Sequence, residues 1–280
     1  MKIIKSHFFI TILSIVIFFF LACSDHIHDW GDWKVLTEAA CTKAGEEIRT
    51  CKTDSTHTET RVNRAAPALG HNKNDLDTGI CGRCQALYYK IGDTGPGGGK
   101  IFYVADGLEG RPLSFTMMDN QQKCYYLEAA PADLSFGLAM APATSPAYIY
   151  DIPEVKYSGI GDGRQNTKEV LKAAAGDTAT NAPAAHASSI YTNNGKNDWF
   201  IPSRYEMVEL NKQKSIFQNW GTSLNLPLVS GQPADYILYW TSTQAWFNDG
   251  IVYTIDFEKG GHWLIASTGI FCYTRVIRAF

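Results

Sequence analysis

The spacing of apolar residues changes along the chain. Phe8 to Ala22 is an apolar run interrupted only by Thr11 and Ser14. Further on, apolar and polar positions alternate in short stretches. Trp33-Lys34-Val35-Leu36 reads as a strand, and Glu47-Ile48-Arg49-Thr50 is placed to pair with Glu59-Thr60-Arg61-Val62. Two apolar runs, Tyr88-Tyr89 and Ile101-Phe102-Tyr103-Val104, flank a glycine-rich stretch. Tyr125-Tyr126-Leu127-Glu128-Ala129-Ala130 reads as a strand that runs into a turn at Pro131. Asn166-Thr167 stands before Lys168 to Ala175, which predicts a short helix behind a capping residue. Ser203 followed by Glu206 predicts a capping box, with Met207 and Leu210 recurring at helical spacing behind it. Tyr239 to Thr243, Ile251 to Phe257, Trp263 to Ser267 and Phe271 to Arg278 supply further strands. The pattern predicts an α+β protein of short antiparallel strands and about two helices.

The first apolar run carries a location. Lys2 and Lys5 precede it, and Phe20-Leu21-Ala22-Cys23 ends it before a polar stretch. A basic start, an apolar middle and a small residue at the end make a secretory signal peptide. Cys directly after the small residue resembles the lipobox of bacterial lipoproteins, although Phe20 stands where Leu, Val or Ile is usual. That resemblance implies cleavage after residue 22, lipid on Cys23, a tether over residues 23–27, and membrane lipid as a partner through the acylated cysteine. The run is shorter than the roughly 20 residues of a spanning helix. Whether the leader is cleaved or retained, residues 24–280 are expected outside the cytosol, anchored in the cell envelope.

Composition narrows the classes. Of 280 residues, 45% are hydrophobic and 19% charged, which suits a folded protein rather than a disordered one. The net charge of −3 leaves no basic excess to neutralise a phosphate backbone, so nucleic acid is not an expected partner. With 24 Gly, 11 Pro and abundant aromatics, the chain favours many strands and turns over a helical bundle.

Residues 28–87 form a small β module bearing Cys41, Cys51, Cys81 and Cys84. So short a segment buries little apolar area and needs a staple. Zinc is one candidate, since Cys81-x-x-Cys84 is a half-knuckle. Disulfides are the other, favoured by export. The spacing from Cys41 to Cys51 is too long for a second knuckle. The succession Trp30-Gly31-Asp32-Trp33, Thr37-Glu38-Ala39-Ala40-Cys41, Arg49-Thr50-Cys51, Glu59-Thr60-Arg61 and Pro67-Ala68-Leu69-Gly70-His71 resembles a short repeat of bacterial surface proteins. A truncated second copy would run from His71 to Cys84.

Residues 88–280 hold Gly95-Pro96-Gly97-Gly98-Gly99-Lys100-Ile101. A phosphate loop needs four residues between its glycine and Gly-Lys-Ser/Thr. Three intervene between Gly95 and Gly99, and Ile101 replaces the hydroxyl residue, so the stretch is expected to be a tight turn into a buried strand. The glycine stretch, Leu127-Glu128-Ala129-Ala130-Pro131, Asp198-Trp199-Phe200-Ile201-Pro202-Ser203, Tyr239-Trp240-Thr241-Ser242 and Arg275-Val276-Ile277-Arg278-Ala279-Phe280 follow in an order with a counterpart. That order resembles the family named for the C-terminal domain of a Legionella collagen-like adhesin. The resemblance implies a C-type lectin-like mixed fold, close to the formylglycine-generating sulfatase modifiers, and a non-catalytic adhesive or ligand-binding role toward an extracellular glycan or matrix protein.

Candidate chemistry in this region is thin. Gln232-Pro233-Ala234-Asp235 and Asn197-Asp198-Trp199 depart in spacing and order from a lectin calcium site, so calcium is not expected. Trp199 is expected in the core and Asp198 in a turn. Cys124 and Cys272, the cysteines of the sulfatase-modifier alternative, are expected to form one disulfide after export. No histidine pairs with Ser or Cys in a nucleophile motif. Trp246, Asn248 and Asp249, with His262 and Trp263, combine aromatic faces and hydrogen-bonding groups in connections between strands. They are the expected ligand-binding residues. A structural envelope protein without a soluble ligand is the rival expectation.

Overall fold

The computed structural model describes residues 27–73, 76–134, 137–142, 144–145, 157–217, 237–245, 251–257, 262–267, 269 and 271–280. The leader, Cys23 and most of the tether lie outside these residues, as do Trp246, Asn248, Asp249 and residues 232–235. Contacts divide the chain into two compact units, one up to His71 and one from Asn72 to Phe280. Residues 72–87, expected with the small module, make their contacts with the second unit. For example, the Tyr126 hydroxyl donates to the Gly79 carbonyl at 2.9 Å.

The first unit is a three-stranded antiparallel sheet, β1 (Lys34–Thr37), β2 (Glu46–Thr50) and β3 (Thr58–Val62), with β2 in the middle. The expected hairpin forms in the register that opposes unlike charges, Arg49 to Glu59 and Glu47 to Arg61. Both outer strands are fully exposed. The Arg49 guanidinium stacks over Trp30 and Trp33, and that of Arg61 lies 4.0 Å from the Trp33 ring centre.

The second unit is mixed α+β, with several small antiparallel sheets. In one sheet β7 (Tyr126–Ala129) lies between β4 (Lys100–Val104) and β11 (Ile277–Ala279). A second runs β8 (Leu238–Gln244), β9 (Ile251–Asp256), β10 (His262–Ser267). β5 (Phe115–Thr116) and β6 (Lys123–Cys124) make a short ribbon. The described residues contain four helices, α1 (Gly163–Ala173), the single turn α2 (Thr178–Asn181), α3 (Pro183–Ile190) and α4 (Arg204–Lys212), where about two were expected.

Apolar burial explains the arrangement. Every residue of β7 and β8 is buried, so both strands are covered on both faces. Phe102, Leu127, Phe200, Met207, Leu210, Tyr239 and Ile277 share one cluster. Val170, Ala174, Ala184, Ile201, Trp240 and Val252 share another. Each large side chain so buried stabilises the fold by about 1.5–3 kcal/mol. α4 begins with the expected capping box: Ser203 N–H donates to Glu206 Oε2 at 2.7 Å, and Glu206 N–H donates to Ser203 Oγ.

α1 begins earlier than Asn166, and the reason is a polar inner face. Asn166 and Thr167 are buried inside the helix rather than capping it. Asn166 Nδ2 donates to the Tyr157 carbonyl at 2.7 Å, and Thr167 Oγ1 accepts from Ile201 N–H. Gly163 opens the helix because a Cβ there would lie 2.3 Å from Glu206 Oε2.

Candidate functional site

Local hydrogen bonds position the N-terminal cysteines within each unit. Leu69 N–H donates to the Ala40 carbonyl at 2.9 Å, which carries the stretch ending in His71 alongside Cys41. On the next residue, Asn72 N–H donates to Cys81 Sγ at 3.2 Å. Cys81-Gly82-Arg83-Cys84 is a tight turn, closed by Gln85 N–H on the Cys81 carbonyl and Cys81 N–H on the Ala86 carbonyl. Gln85 takes φ +60, the left-handed conformation that turns the chain back so that Ile80 bridges Leu87.

In the first unit Cys41 is buried and His71 half-buried; in the second Cys81 is buried and Cys84 exposed. Thiols and imidazoles of this kind are donors for a borderline-soft divalent ion. Cys51, expected in the same staple, has its Sγ 3.1 Å from Thr53 Oγ1, and its backbone bridges Trp30.

The other candidate residues separate. Cys124 and Cys272 are free, buried thiols in different apolar clusters, so the expected disulfide between them is not formed. Burial pushes the Cys124 thiol up to about 11 and the Cys272 thiol higher still, the opposite of what a reactive thiolate needs. The backbone of His262 and Trp263 runs within β10, opposite Asp256 and Ile255, so His262 belongs to a strand rather than to the connection before it. An open cleft lined by Tyr103, Arg111, Tyr205, Glu209 and Lys212 contains none of the residues singled out for ligand binding.

The glycine-rich stretch binds a carboxylate of its own chain. Gly97 N–H donates to Glu128 Oε2 at 3.0 Å, and Gly99 N–H donates to Glu128 Oε1 at 2.7 Å. A Cβ on Gly99 would lie 2.0 Å from the Ala129 carbonyl oxygen, so the expected turn into a buried strand requires glycine there. Arg278 donates to Glu128 at 3.2 Å and to both oxygens of Asp198 at 2.8 and 3.1 Å. Burial alone would lower the Arg278 pKa. Its bonds to Asp198 and Glu128 outweigh that cost and raise it. Asp198, expected in a turn, is an ion-pair partner of Arg278 outside the turn at Asn194–Gly195, and Trp199 packs in the core against Ala130 and Val276.

Two further buried groups are tied in the same way. Arg275, with no exposed side chain, donates from Nε to Asp133 at 2.6 Å, and the Tyr239 hydroxyl donates to the other oxygen of Asp133. Glu206 accepts from Gly161 N–H at 2.8 Å besides Ser203. Burial raises its pKa to about 7, against the lowering effect of those two backbone donors. Among the described residues, no helix is long and apolar enough to cross a membrane. No protein-family model matches the chain, and a search of curated proteins finds no match.

Proposed function

We propose that this chain is an exported, lipid-anchored envelope protein, fastened through Cys23, whose larger unit is a non-catalytic binding domain of C-type lectin-like design. The observation that carries the binding-domain reading is how the larger unit uses its buried charges. Glu128 with Gly97 and Gly99, Asp133 with Tyr239, and Glu206 with Gly161 each fix a connecting segment to a strand or helix. A framework whose connections are held this firmly can present other loops as a recognition surface without movement of its base. Trp246, Asn248 and Asp249, which follow β8 in the sequence, and His262 and Trp263 are the proposed recognition residues. A glycan or a matrix protein is the proposed ligand, because Trp stacks on a sugar or apolar face while Asn and Asp bond its polar groups. The raised thiols of Cys124 and Cys272 favour this reading over a sulfatase-modifier chemistry, which needs an accessible thiolate.

The test joins a location and a binding measurement. Labelling cells with a fatty acid should mark the protein, and Cys23→Ser should abolish the mark. Screening the purified mature chain on glycan and matrix-protein arrays should return a ligand whose affinity falls at least tenfold in Trp246→Ala. An unlabelled protein in the cytosolic fraction overturns the anchor. Unchanged binding by Trp246→Ala and Trp263→Ala overturns the surface.

A further inference from the structure

We infer that the open cleft between α4 and the segment after β4 is a saccharide-binding site that takes a neutral sugar. The cleft lies wholly within the larger unit. It shares no residue with the recognition residues proposed above, and it does not depend on the lipid anchor.

Two elements build the cleft, and both are held before any ligand arrives. Tyr205, Glu209 and Lys212 stand four and three positions apart on α4, so they share one face of the helix. The capping box fixes the start of that helix, and Tyr205 N–H donates to the Ser158 carbonyl at 2.9 Å. The segment after β4 brings in Arg111. There Asp106 accepts from Leu108 N–H at 3.0 Å and from the Arg111 guanidinium at 3.1 and 3.2 Å. Tyr103 of β4 lines the inner part, its ring buried edge-on to Phe115 with centres 5.9 Å apart. The cavity measures about 430 Å³, within the roughly 300–1,000 Å³ of small-molecule sites. A site held this way loses little conformational freedom on binding.

The charges select a neutral ligand. Arg111 is engaged by Asp106 and, at 3.0 Å, by Glu109, and Lys212 is engaged by Glu209 at 2.6 Å. An anionic ligand would have to displace a carboxylate already in place, and a cationic one would have to displace a guanidinium or an ammonium. A hydroxyl donates one hydrogen bond and accepts two. Neighbouring hydroxyls of a sugar can therefore bond to Glu209 and Lys212 together and leave the pair intact.

The aromatic and uncharged groups complete the match. Tyr205 is 51% exposed although it lines the cleft, so its ring offers an apolar face on which the C–H face of a pyranose can stack. The hydroxyls of Tyr103 and Tyr205 and the side-chain amide of Gln213 make no hydrogen bond among the described residues, which leaves them available to sugar hydroxyls. A wholly apolar ligand would cover these groups without bonding them, at a cost of about 1–3 kcal/mol each.

Titration of the mature full-length chain with maltotriose, cellotriose and mannotriose, followed by calorimetry and by NMR of labelled tyrosine rings, tests this. At least one of the three should bind and shift the Tyr205 signals. Tyr205→Ala should weaken that binding roughly tenfold or more, and Glu209→Ala roughly threefold or more. Tyr205→Phe should keep most of the affinity, which separates loss of the stacking face from loss of fold. Trp246→Ala should leave the binding unchanged. A trimer of galacturonic acid should bind more weakly than the neutral sugar. Binding of none of the three neutral trisaccharides overturns the inference, as does tighter binding of the acidic trimer. Binding that survives Tyr205→Ala and Glu209→Ala but is lost in Trp246→Ala also overturns it, and that result supports the recognition residues proposed above instead.

Discussion

The two units use arginine and carboxylate pairs in opposite settings. In the small sheet, Arg49 meets Glu59 and Arg61 meets Glu47 on an open surface, with the arginines laid over Trp30 and Trp33. In the larger unit, Arg278 meets Glu128 and Arg275 meets Asp133 where almost no solvent reaches. Exposed pairs contribute about 0–1 kcal/mol each and a cation–π contact about 0.5–1. Ordering the backbone costs about 1–2 kcal/mol per residue. Surface pairing therefore cannot hold the small sheet by itself, and Cys41 and Cys51 are the only apolar side chains it buries among the described residues. The larger unit has ample apolar burial, and its ion pairs select a conformation instead of providing the main stability. One unit needs closure from outside its own packing; the other does not.

Hydrogen exchange should expose this difference most strongly. Ile48 and Thr60 in the small sheet should exchange roughly tenfold or more faster than Leu127 and Trp240. Equal protection of both regions would show that the small sheet is self-sufficient. Next in size is Arg278→Met, which leaves Glu128 buried without its cation. Thermal unfolding of the larger unit should show a loss of about 3–5 kcal/mol, with the small sheet unaffected.

Smaller again is a pH effect. The Glu206 carboxyl has its pKa raised from 4.5 to about 7 in the folded chain, chiefly by burial. Between those values the folded state holds a proton that the unfolded state has released. Stability contributed by the protonated form is therefore fully present below pH 4.5, declines as pH rises to about 7, and is flat above. The decline amounts to about 3 kcal/mol, from 1.36 kcal/mol per unit. Glu206→Gln should remove this slope from the melting temperature of the larger unit. A slope that survives the substitution assigns the effect to other groups.

How much of this was legible follows from how local each cause is. The β2–β3 hairpin is legible because Arg49, Glu59, Glu47 and Arg61 oppose unlike charges in a single register. The capping box needs only Ser203 and Glu206, three residues apart. The start of α1 was not legible: Asn166 and Thr167 look like caps, and only tertiary contacts with Tyr157 and Ile201 make them interior residues. Cys124 and Cys272 suggested a pair because both follow export, yet they pack into separate clusters. The turn at Cys81-x-x-Cys84 is legible from its spacing alone, and Gln85 N–H on the Cys81 carbonyl closes it. The buried ion pair has a signal in the sequence. Glu128 and Arg278 are opposite charges, each set within an otherwise apolar strand, and β7 and β11 place them directly across from one another.

The smallest expected effect bears on what the tryptophans of the small sheet contribute. Arg61 lies closest to the Trp33 ring, at 4.0 Å, while Arg49 lies 4.7 Å from both Trp30 and Trp33. A double-mutant cycle of Trp33→Ala and Arg61→Ala should give a coupling of about 0.5–1 kcal/mol in unfolding of the small sheet. Arg61 also pairs with Glu47, so Glu47→Gln should be combined with the cycle to isolate the stacking from the ion pair. Salt separates the two contributions further, since the exposed ion pair is screened within about 10 Å at 0.1 M and the packing of the guanidinium on the indole is less affected. A coupling that disappears at high salt would assign the contact to charge alone. One that persists shows that the indole face supplies the small sheet with part of the packing it lacks in a core.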